Sequence, residues 1–310
     1  MKNVIVTGST GEIGLALVEE LLSHNKNVTA LVRPHSKRIG RLPQNEKLRI
    51  VEWDMKNLTK FEAPDRFEVF YHLGWDYSRD HNCVDKHFLN VQYTLEAVEL
   101  AAKMGCKCFV GAGSQAEYGH AGGKKRESTP CFPETAYGIA KCFAGRMAEL
   151  SCRQKGLRYV WPRIFSVYGP GDAESTMVMS VIRQLIAGKV PALTKGEQMW
   201  DFMYAADAAC ALRLLGEKDS CEGIYCIAGG QQRQLRAYIE EIRDCINSNL
   251  QLGFGEIPYA EKQVMDMDVD VSKLVKDTCF RPETSFAEGI RKTIQWCLEH
   301  PQVERTGYGE

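Results

Sequence analysis

The sequence predicts an α/β fold, a doubly wound parallel sheet with a smaller, interleaved α/β lobe. Short runs rich in β-branched residues alternate with helical stretches through the first half of the chain, which is typical of βαβ units. At the amino end, an apolar strand runs directly into a glycine-rich turn and then a helix. Past residue 165 the alternation becomes less regular, which indicates a second lobe that shares a cleft with the first.

The first half of the chain is predicted to supply most of the large sheet. Strands are expected at residues 3–7, 27–32, 48–53, 68–73, 106–112 and 158–164, and helices at 12–24, 84–104 and 134–155. Because helices alternate with these strands, the strands are expected to pair in parallel. This order is typical of the Rossmann fold, which binds dinucleotides.

The second half is predicted to divide between the two lobes. It is expected to contain a turn at 168–171, a helix at about 175–188, a short strand near 198–204, a helix at 207–216, a strand at 223–228 and helices at 233–249 and 283–299. We therefore expect a dinucleotide-binding domain from residues 1–165 and about 205–230, and a substrate-binding lobe from 166–204 and 231–310.

Composition places the chain among ordinary globular proteins. Of its 310 residues, 44% are apolar and 25% are charged, and the formal net charge is -1. No overall field favours nucleic acid or an anionic membrane surface, so neither is an expected partner. No run approaches 18 consecutive apolar residues, so no membrane span is expected. The chain enters a strand at once, without the regions of a signal peptide, so a cytoplasmic location is expected.

The cysteines and histidines predict no metal centre. The twelve cysteines are scattered and include no Cys-x-x-Cys pair, so we expect reduced, mostly buried thiols. His72 ends a predicted buried strand, where local hydrogen bonds are its expected role. His81 and His87 lack the spacing of a zinc site.

A glycine-rich turn follows the first strand. Gly8, Gly11 and Gly14 are spaced by three residues, unlike the commoner Gly-x-Gly-x-x-Gly pattern. A turn without side chains lets backbone N–H groups approach a pyrophosphate at the positive end of the following helix. The position of this turn after the first strand predicts a dinucleotide site.

The end of the second predicted strand indicates which dinucleotide is bound. Enzymes that use NAD usually place a carboxylate there to bind the ribose 2′-hydroxyl, whereas this strand ends in Arg33. A guanidinium pairs with a 2′-phosphate through two parallel hydrogen bonds. NADP is therefore the expected cofactor, with NAD as the alternative and a solvated basic turn as the other interpretation. Asp54, at the end of the third strand, is placed either to bond the adenine or to cap a helix.

Tyr137 and Lys141 are predicted to lie on one face of a helix, because residues four apart project side by side. A phenol has an unperturbed pKa near 10, and a neighbouring ammonium favours its charged form, which suits proton transfer near neutral pH. Ser114 lies 23 residues earlier in a loop of small residues and would hydrogen-bond a substrate carbonyl or hydroxyl. A Tyr-x-x-x-Lys pair can also be an ordinary surface pair, but with the glycine turn it predicts a nicotinamide enzyme.

Further motifs match a known family. They are Asp54-Met55, His72-Leu73-Gly74, Asn90-Val91, Gly-Ser-Gln-Ala-Glu-Tyr-Gly at 113–119, Pro-Arg-Ile-Phe-Ser-Val-Tyr-Gly-Pro at 162–170, Trp-Asp-Phe-Met-Tyr at 200–204 and Asp207-Ala208. With the glycine turn and the Tyr137 and Lys141 pair, they make the chain similar to the extended short-chain dehydrogenase/reductase family over nearly its whole length. That family comprises the sugar-nucleotide epimerases, dehydratases and reductases.

The resemblance implies roles for individual residues. Ser114, Tyr137 and Lys141 would be the catalytic triad, with Asn90 in support. The cofactor would be held by Gly8, Thr10, Gly11, Glu12, Ile13, Arg33, Asp54, Met55, Leu73, Gly74, Asn90, Tyr137 and Lys141. Family members often pair through a four-helix bundle, here the helices at 84–104 and 134–155, so a homodimer is expected by resemblance.

Departures from the family pattern bear on the reaction. Sugar-nucleotide 4,6-dehydratases carry an Asp-Glu pair after the hydroxyl residue, whereas this chain has Gln115 and Ala116, which cannot serve as acid and base. An epimerase keeps NAD bound, while a reductase exchanges NADPH, so Arg33 favours reduction. The motifs also resemble the reductases of nucleotide-linked 4-keto-6-deoxyhexoses, such as the abequose and paratose synthases.

We therefore expect reduction of a nucleotide-linked 4-keto-6-deoxyhexose, with hydride delivered from NADPH to C4 while Tyr137 protonates the oxygen. Substrate contacts are expected from Trp75, Gln115, Glu117, Arg163, Ser166, Tyr168 and Trp200, although packing or local ion pairing is the alternative interpretation for several of them. Ser166 and Trp200 stand where many epimerases have Asn and Arg, which disfavours a conventional UDP-sugar mode of binding. Arg233 is a further candidate for the substrate diphosphate, with a surface salt bridge as its alternative role.

Two other functions stay open. One is an NAD-dependent UDP-sugar 4-epimerase. The other belongs to a different class, a non-catalytic NADP-binding regulator. Such a regulator should lack the proton donor, whereas Tyr137, Lys141 and Ser114 are all present.

Overall fold

The computed structural model describes residues 1–63, 65–76 and 80–301. Its strands are β1 (Asn3–Thr7), β2 (Asn27–Val32), β3 (Leu48–Glu52), β4 (Val69–His72), β5 (Cys108–Gly111), β6 (Gly113–Ser114), β7 (Arg158–Ile164), β8 (Ser166–Tyr168), β9 (Ala192–Leu193), β10 (Met199–Trp200), β11 (Phe202–Tyr204), β12 (Gly223–Ile227), β13 (Arg233–Gln234) and β14 (Gly253–Phe254). Its α-helices are α1 (Glu12–Ser23), α2 (Val84–Lys103), α3 (Ala136–Lys155), α4 (Met177–Ile186), α5 (Ala205–Glu217), α6 (Leu235–Ile246), α7 (Ser272–Thr278) and α8 (Phe286–Glu299). Short 3₁₀ helices cover Ile39–Arg41, Met55–Lys60 and Gln115–Tyr118.

Eight of the strands form one parallel sheet. Their order is β12-β7-β5-β4-β1-β2-β3, with β6 paired to β7. From β1 the chain continues to β2 and β3 on one side of the sheet. It then crosses back to β4, on the other side of β1, and continues to β5. This reversal creates a crevice at the carboxyl ends of β1 and β4, where doubly wound folds bind their ligands.

The sheet is buried on both faces. Along β1, Val4 and Val6 point into a cluster that includes Leu17 of α1 and Leu212 of α5. Ile5 points the opposite way, into a cluster with residues of α2 and α3. The alternation follows from the two-residue period of a strand, and it explains why the strand reads as a continuous apolar run.

The second lobe is built from α4, α6 and α8 with three two-stranded sheets. These sheets pair β8 with β11, β9 with β14 and β10 with β13. Ile182, Ile239 and Ile290 pack together in the apolar cluster of this lobe. By contrast, Leu274 of α7 packs in the cluster beneath the large sheet. The division into two lobes remains a proposal. We modify it by assigning α7 to the first lobe, although the sequence placed residues 231–310 in the second.

The predicted α/β class and the parallel sheet are confirmed. Every strand and helix expected in the first half forms within two residues of its expected bounds. In the second half, the single strand expected near 198–204 is two short strands, β10 and β11, separated at Asp201. The end of the predicted second lobe, residues 302–310, lies outside the described residues. None of the helices in the described part of the chain has the length and apolar character needed to cross a bilayer.

Candidate active site

The turn after β1 depends on two glycines for its shape. Gly8 has a φ of +73°, and a Cβ there would lie 2.6 Å from the backbone nitrogen of Gly74. A Cβ on Gly14 would collide with the Gly8 carbonyl oxygen. The turn is therefore pressed against the segment after β4 on one side and against the first turn of α1 on the other.

The same turn has the features of a pyrophosphate site. Gly11 precedes α1 without a side-chain cap, so the first N–H groups of the helix are available to an anion. Ser9 adds a hydroxyl oxygen that is buried and has no hydrogen-bond partner among the described residues. A dinucleotide phosphate would satisfy both the backbone donors and this hydroxyl, so the residues present fit the cofactor.

Glu12 and Asp172 form a carboxyl pair beside this turn. Burial raises the pKa of Glu12 well above its usual range, and the neighbouring Asp172 raises it further. Burial also raises the pKa of Asp172 to about 6, although its oxygens accept hydrogen bonds from Thr176 Oγ1 and the Ala173 backbone. A pair that holds one proton carries one negative charge instead of two, which reduces its repulsion of a phosphate.

The residues predicted to meet the adenosine end lie at the ends of β2 and β3. Arg33 follows β2 directly and is exposed. Asp54 caps the following 3₁₀ helix, because its Oδ1 accepts a hydrogen bond from the Lys56 backbone at 2.9 Å. The capping role that the sequence left open is thus present. Met55 lies across the crevice from Gly74, where an added Cβ would be 2.7 Å from the Met55 sulfur.

Asn90 and His72 have structural roles in the crevice. Asn90 is buried, and its side-chain amide bonds both the N–H and the carbonyl of Asp76, which fixes the segment after β4. The His72 ring contacts Thr7 Oγ1 at 2.9 Å and Thr94 Oγ1 at 3.4 Å. The expected local bonding of His72 is therefore confirmed. Burial lowers the His72 pKa to about 3, with a further contribution from Lys141, so the ring is neutral.

Lys141 reaches into the crevice from α3. Its Nζ donates to the Ala112 carbonyl at 2.8 Å and lies 3.8 Å from the centre of the Trp75 ring. Burial lowers the pKa of this amine to about 7. Because burial disfavours the charged form, a bound anion that compensates the charge would favour protonation.

Tyr137 lies one helical turn before Lys141 and is surrounded by aromatic rings. Its ring centre is 5.9 Å from that of Trp75, 5.4 Å from that of His81 and 5.5 Å from that of His87. The Lys141 Nζ is 5.9 Å from the centre of the Tyr137 ring. The sequence motifs did not indicate either histidine here, because His81 lies in a loop and His87 on α2.

Ser114 lies at the end of β6, in the loop next to α3. Its Oγ accepts a hydrogen bond from the Ala116 backbone, and Glu117 completes a capping box with it. A hydroxyl that accepts this bond keeps its own O–H as a donor. Because Lys141 bonds Ala112, two residues before Ser114, the structure links the serine loop to α3.

Two predicted substrate residues instead pair with each other in the interior. Glu117 and Arg163 are 1% and 4% exposed, and Arg163 Nε lies 2.8 Å from Glu117 Oε2. The other carboxylate oxygen of Glu117 accepts bonds from Trp161 Nε1 and the Ser114 backbone. The pair therefore supports the serine loop from behind, and the structure does not bring either side chain to a ligand cavity.

Three further candidates have partners within the protein. Trp200 Nε1 donates to Ser166 Oγ at 2.8 Å. The Tyr168 hydroxyl is buried and donates to the Phe286 carbonyl at 3.1 Å. The Tyr168 ring packs in an aromatic group of the second lobe. Arg233 also takes its alternative role, with Nη2 2.7 Å from Glu241 Oε2.

A cavity of about 250 Å³ opens beside Gln115. The Oε1 atom of Gln115 is buried and has no hydrogen-bond partner among the described residues. The other residues around the cavity are 118–123, Lys125, Phe165 and 263–267. Of the seven predicted substrate residues, Gln115 is the one that the cavity includes. The sequence motifs did not indicate the wall at 263–267, which has no distinctive residue pattern.

Comparison with known proteins finds similar enzymes that act on nucleotide sugars. A dTDP-6-deoxy-L-talose 4-dehydrogenase (NAD(+)) from Aggregatibacter actinomycetemcomitans is 26% identical over 77% of this chain and 88% of its own length. A dTDP-glucose 4,6-dehydratase from Streptomyces antibioticus is 23% identical over 95% of this chain and 92% of its own. The solved UDP-N-acetylglucosamine 4-epimerase from Methanobrevibacter ruminantium M1, in complex with UDP-N-acetylmuramic acid, is 25% identical. That structure superimposes with a TM-score of 0.87 over 96% of this chain and 98% of its own.

A family model provides the assignment. The model of the NAD dependent epimerase/dehydratase family matches residues 4–228. This match runs from β1 through the glycine turn, the serine loop and the Tyr137 and Lys141 pair to the end of β12. Because it spans well over half of the chain, the protein is an enzyme of the NAD dependent epimerase/dehydratase family.

Proposed function

We propose that the protein is a nicotinamide-dependent oxidoreductase acting at C4 of a nucleotide-linked hexose, and that it reduces a 4-keto-6-deoxyhexose. The observation that carries this proposal is the arrangement of Tyr137, Lys141 and Ser114 at the crevice between β1 and β4. Tyr137 can exchange a proton and Ser114 can polarise an oxygen. Together these two actions suit the interconversion of an alcohol and a ketone.

Each of the three residues has a defined task. Tyr137 donates a proton to the oxygen that was the ketone, while the Ser114 hydroxyl hydrogen-bonds that oxygen and polarises it. Lys141 binds the ribose hydroxyls of the cofactor, and its positive charge favours the phenolate that remains after the proton has left. When bound, the nicotinamide supplies or accepts the hydride.

The names of two relatives support chemistry at C4. One is a 4-dehydrogenase of a dTDP-linked 6-deoxyhexose, and the other is a 4-epimerase of a UDP-linked sugar. Oxidation of a 6-deoxyhexose at C4 is the reverse of the reduction proposed for this chain. A catalyst accelerates both directions of one equilibrium, so the same residues serve either direction.

We propose NADPH as the physiological reductant. Arg33 is exposed at the end of β2, the position at which NAD enzymes usually carry a carboxylate. A guanidinium there can form two charge-assisted bonds with a 2′-phosphate. NAD is the alternative cofactor, because the names of two similar proteins specify NAD.

Dehydration is disfavoured although several relatives are named dTDP-glucose 4,6-dehydratases. The 4,6-dehydratase motif has an Asp-Glu pair directly after the hydroxyl residue, and these two residues act as acid and base. This chain has Gln115 and Ala116 at those positions. An amide and a methyl group cannot exchange protons at neutral pH. The Gln115 amide would instead hydrogen-bond a sugar hydroxyl.

A 4-epimerase is the second candidate function. The solved 4-epimerase covers 96% of this chain with a TM-score of 0.87, and its printed function also requires chemistry at C4. Epimerisation differs from net reduction in that the cofactor ends each turnover unchanged. The two functions therefore need a test that follows the cofactor and the sugar separately.

The test is incubation of the purified protein with NADPH and dTDP-4-keto-6-deoxyglucose, with absorbance at 340 nm and product chromatography as readouts. Stoichiometric loss of NADPH with formation of a 6-deoxyhexose supports the reductase. Conversion of UDP-glucose to UDP-galactose without net loss of reduced cofactor would instead support the epimerase. Binding of NADPH without turnover of any nucleotide sugar would support the regulator.

Tyr137→Phe is expected to lower turnover at least about 100-fold while cofactor binding is retained, because only the transferable proton is removed. Tyr259→Phe is the matched control. The Tyr259 hydroxyl contacts Glu197, away from the crevice, so its removal should leave turnover unchanged. Equal activity of wild type and Tyr137→Phe would contradict the assigned role.

A further inference from the structure

Cys131 and Cys142 form a pair of thiols that the proposed reaction does not use. Cys131 lies in the loop before α3, and Cys142 follows Lys141 on the helix. Their sulfur atoms lie within 4.8 Å of each other and of a carboxylate oxygen of Glu117. The Cys131 thiol donates to the Thr129 carbonyl at 3.9 Å, and both cysteines are half-buried.

Gly138 explains why the loop and the helix come so close. A Cβ on Gly138 would lie 3.0 Å from Pro133 Cβ and would collide with the Ala116 carbonyl oxygen. The absence of a side chain on this helical turn lets the loop at residues 131–133 pack directly on α3. This packing brings the backbone that carries Cys131 close to the helix that carries Cys142.

The two thiols have unequal acidity. The neighbouring Cys131 thiol lowers the pKa of Cys142, and the positive charge of Arg163 acts in the same direction. The neighbouring Cys142 thiol and burial raise the pKa of Cys131, while Glu117 opposes ionisation of both. Such a pair has one nucleophilic thiolate and one adjacent thiol that can attack the oxidised sulfur.

A metal ion is a poorer occupant of this place than a disulfide. Glu117 would be the third ligand, but its carboxylate already accepts bonds from Arg163 Nε at 2.8 Å, Trp161 Nε1 at 2.9 Å and the Ser114 backbone at 2.9 Å. A divalent cation would also lie beside the buried guanidinium of Arg163. Formation of a disulfide leaves this ion pair intact.

We propose that Cys131 and Cys142 are a redox modification site that closes to an intramolecular disulfide on reaction with a hydroperoxide. With hydrogen peroxide, the Cys142 thiolate attacks one oxygen and the O–O bond breaks. The released hydroxide takes up a proton from solvent, and Cys142 becomes a sulfenic acid. The Cys131 sulfur then attacks the Cys142 sulfur. The S–O bond breaks, and the Cys131 proton leaves with that oxygen as water. Two thiols and one peroxide thus give one disulfide and two waters.

The disulfide would join the loop to the helix that carries the catalytic pair. Cys142 is adjacent to Lys141 in the chain, and the loop that holds Cys131 continues from the cavity wall at 118–123. The modification would therefore restrain one wall of the proposed substrate cavity. It needs no catalytic residue and stands apart from the identity of the substrate.

The test is mass spectrometry of the full-length protein after treatment with hydrogen peroxide and alkylation of the remaining thiols. Trypsin cleaves after Arg126, Lys141 and Arg146, so the two cysteines fall in separate peptides, 127–141 and 142–146. We expect the two peptides to be recovered as one linked species, with loss of two of the twelve free thiols. Dithiothreitol should restore both.

Variants separate the steps. Cys131→Ser should abolish the linked species and leave a sulfenic acid at Cys142 that dimedone traps. Cys245→Ser is the control, since Cys245 is half-buried on α6 and its thiol donates to the Ala287 carbonyl, and it should leave the linked species unchanged. Recovery of 127–141 and 142–146 only as separately alkylated peptides from peroxide-treated wild type would overturn the proposal. Stoichiometric zinc that protects both thiols from alkylation would also overturn it.

Discussion

At the scale of single residues, the buried amine of Lys141 lies in surroundings that oppose its charge. It has the Ala112 carbonyl and the face of Trp75 as close partners, and burial lowers its pKa to about 7. The proposed reaction needs this ammonium beside the phenol of Tyr137. Burial of the charged amine therefore lowers the stability of the fold, as is common at functional sites.

Replacement of Lys141 by Met should reveal this cost through its pH dependence. The unfolded chain binds the lysine proton up to its ordinary pKa near 10.4, whereas the folded protein releases it near 7. Unfolding thus takes up a proton between these values, so the free energy of unfolding of the wild type rises with pH across this window. Lys141→Met lacks this contribution.

The measurement is urea denaturation of both proteins from pH 6 to pH 10 without cofactor. The wild type should gain stability relative to Lys141→Met as the pH rises, and the difference should be flat below about pH 6. Loss of the bond to Ala112 shifts the difference by a constant amount at every pH. A difference that does not change with pH would contradict the lowered pKa.

Arg33→Ala should weaken NADP binding selectively. Two charge-assisted hydrogen bonds to a 2′-phosphate contribute about 1.5–3 kcal/mol each to binding, so affinity for NADPH should fall at least about 100-fold while affinity for NADH changes little. Fluorescence titration with both nucleotides measures this. Arg153→Ala, an exposed arginine in the last turn of α3, is the control. Equal loss for both nucleotides would contradict the proposed phosphate contact.

Residue roles could be predicted from sequence where they depend on local spacing. The four-residue separation of Tyr137 and Lys141 was sufficient to place them on one helical face. The partner of Glu117 was not predictable, because Arg163 is 46 residues away and reaches it through the register of β6 on β7. Side chains that meet across strands depend on this register, and a motif carries no information about it.

At the scale of elements, the turn between β1 and α1 separates glycines that the fold needs from one that the ligand needs. Gly14 approaches the Gly8 carbonyl too closely for any side chain, whereas a Cβ on Gly11 would have its nearest neighbour, the Gly8 oxygen, at 3.5 Å. That is ordinary van der Waals contact. Gly11 is thus a position at which binding can be altered without loss of the fold.

Gly11→Ala should leave stability within about 1 kcal/mol of wild type, the usual cost of a poorer residue before a helix. Its methyl group would stand where the pyrophosphate approaches, so cofactor affinity should fall at least about 10-fold. Gly14→Ala should destabilise by about 1–3 kcal/mol or more. Thermal unfolding and cofactor titration distinguish the two effects, and Gly40→Ala, with no atom within 4 Å of the added Cβ, is the control. Unaltered cofactor affinity in Gly11→Ala would contradict the assignment.

Elements of the first half could be predicted because most strands there are apolar runs of four or more residues, whereas the edge strand β3 is not buried and β6 has only two residues. The short strands β9, β13 and β14 contain two residues each, which is too few for any periodicity to show. The seven-residue helix α7 was missed for the same reason. Where pairing depends on distant partners and not on local pattern, sequence reasoning has no signal to use.

At the scale of the whole molecule, polar contacts fix the second lobe to the first. The Asp207 carboxylate accepts bonds from the backbones of Glu283 and Thr284, and Asp201 accepts one from Gly230 at 2.7 Å. Arg41 donates to the Gly171 carbonyl across the glycine turn. The sequence predicted two lobes that share a cleft, but these contacts join segments tens of residues apart and could only be seen in the fold.

The outer surfaces of α2 and α3 expose several large apolar side chains. Their exposed side chains are Val84, Phe88, Leu89, Ile139, Phe143, Met147 and Leu150. The two helices pack side by side on the sheet, so these residues can form one continuous patch. Patches of this kind on soluble proteins commonly mark interfaces. We expect two copies of the chain to pair there as a four-helix bundle.

Phe143→Asp should convert this dimer to a monomer. Phe143 is 46% exposed, and burying such a side chain contributes about 1.5–3 kcal/mol, whereas an aspartate in its place would have to lose its hydration. In a two-fold interface the substitution occurs twice, so its effect on the dimer is doubled. Light scattering coupled to size-exclusion chromatography gives the mass of each form. Leu298→Asp, at a more exposed apolar position on α8, should leave the mass unchanged from that of the wild type. If Phe143→Asp also retains the wild-type mass, α2 and α3 are not the interface.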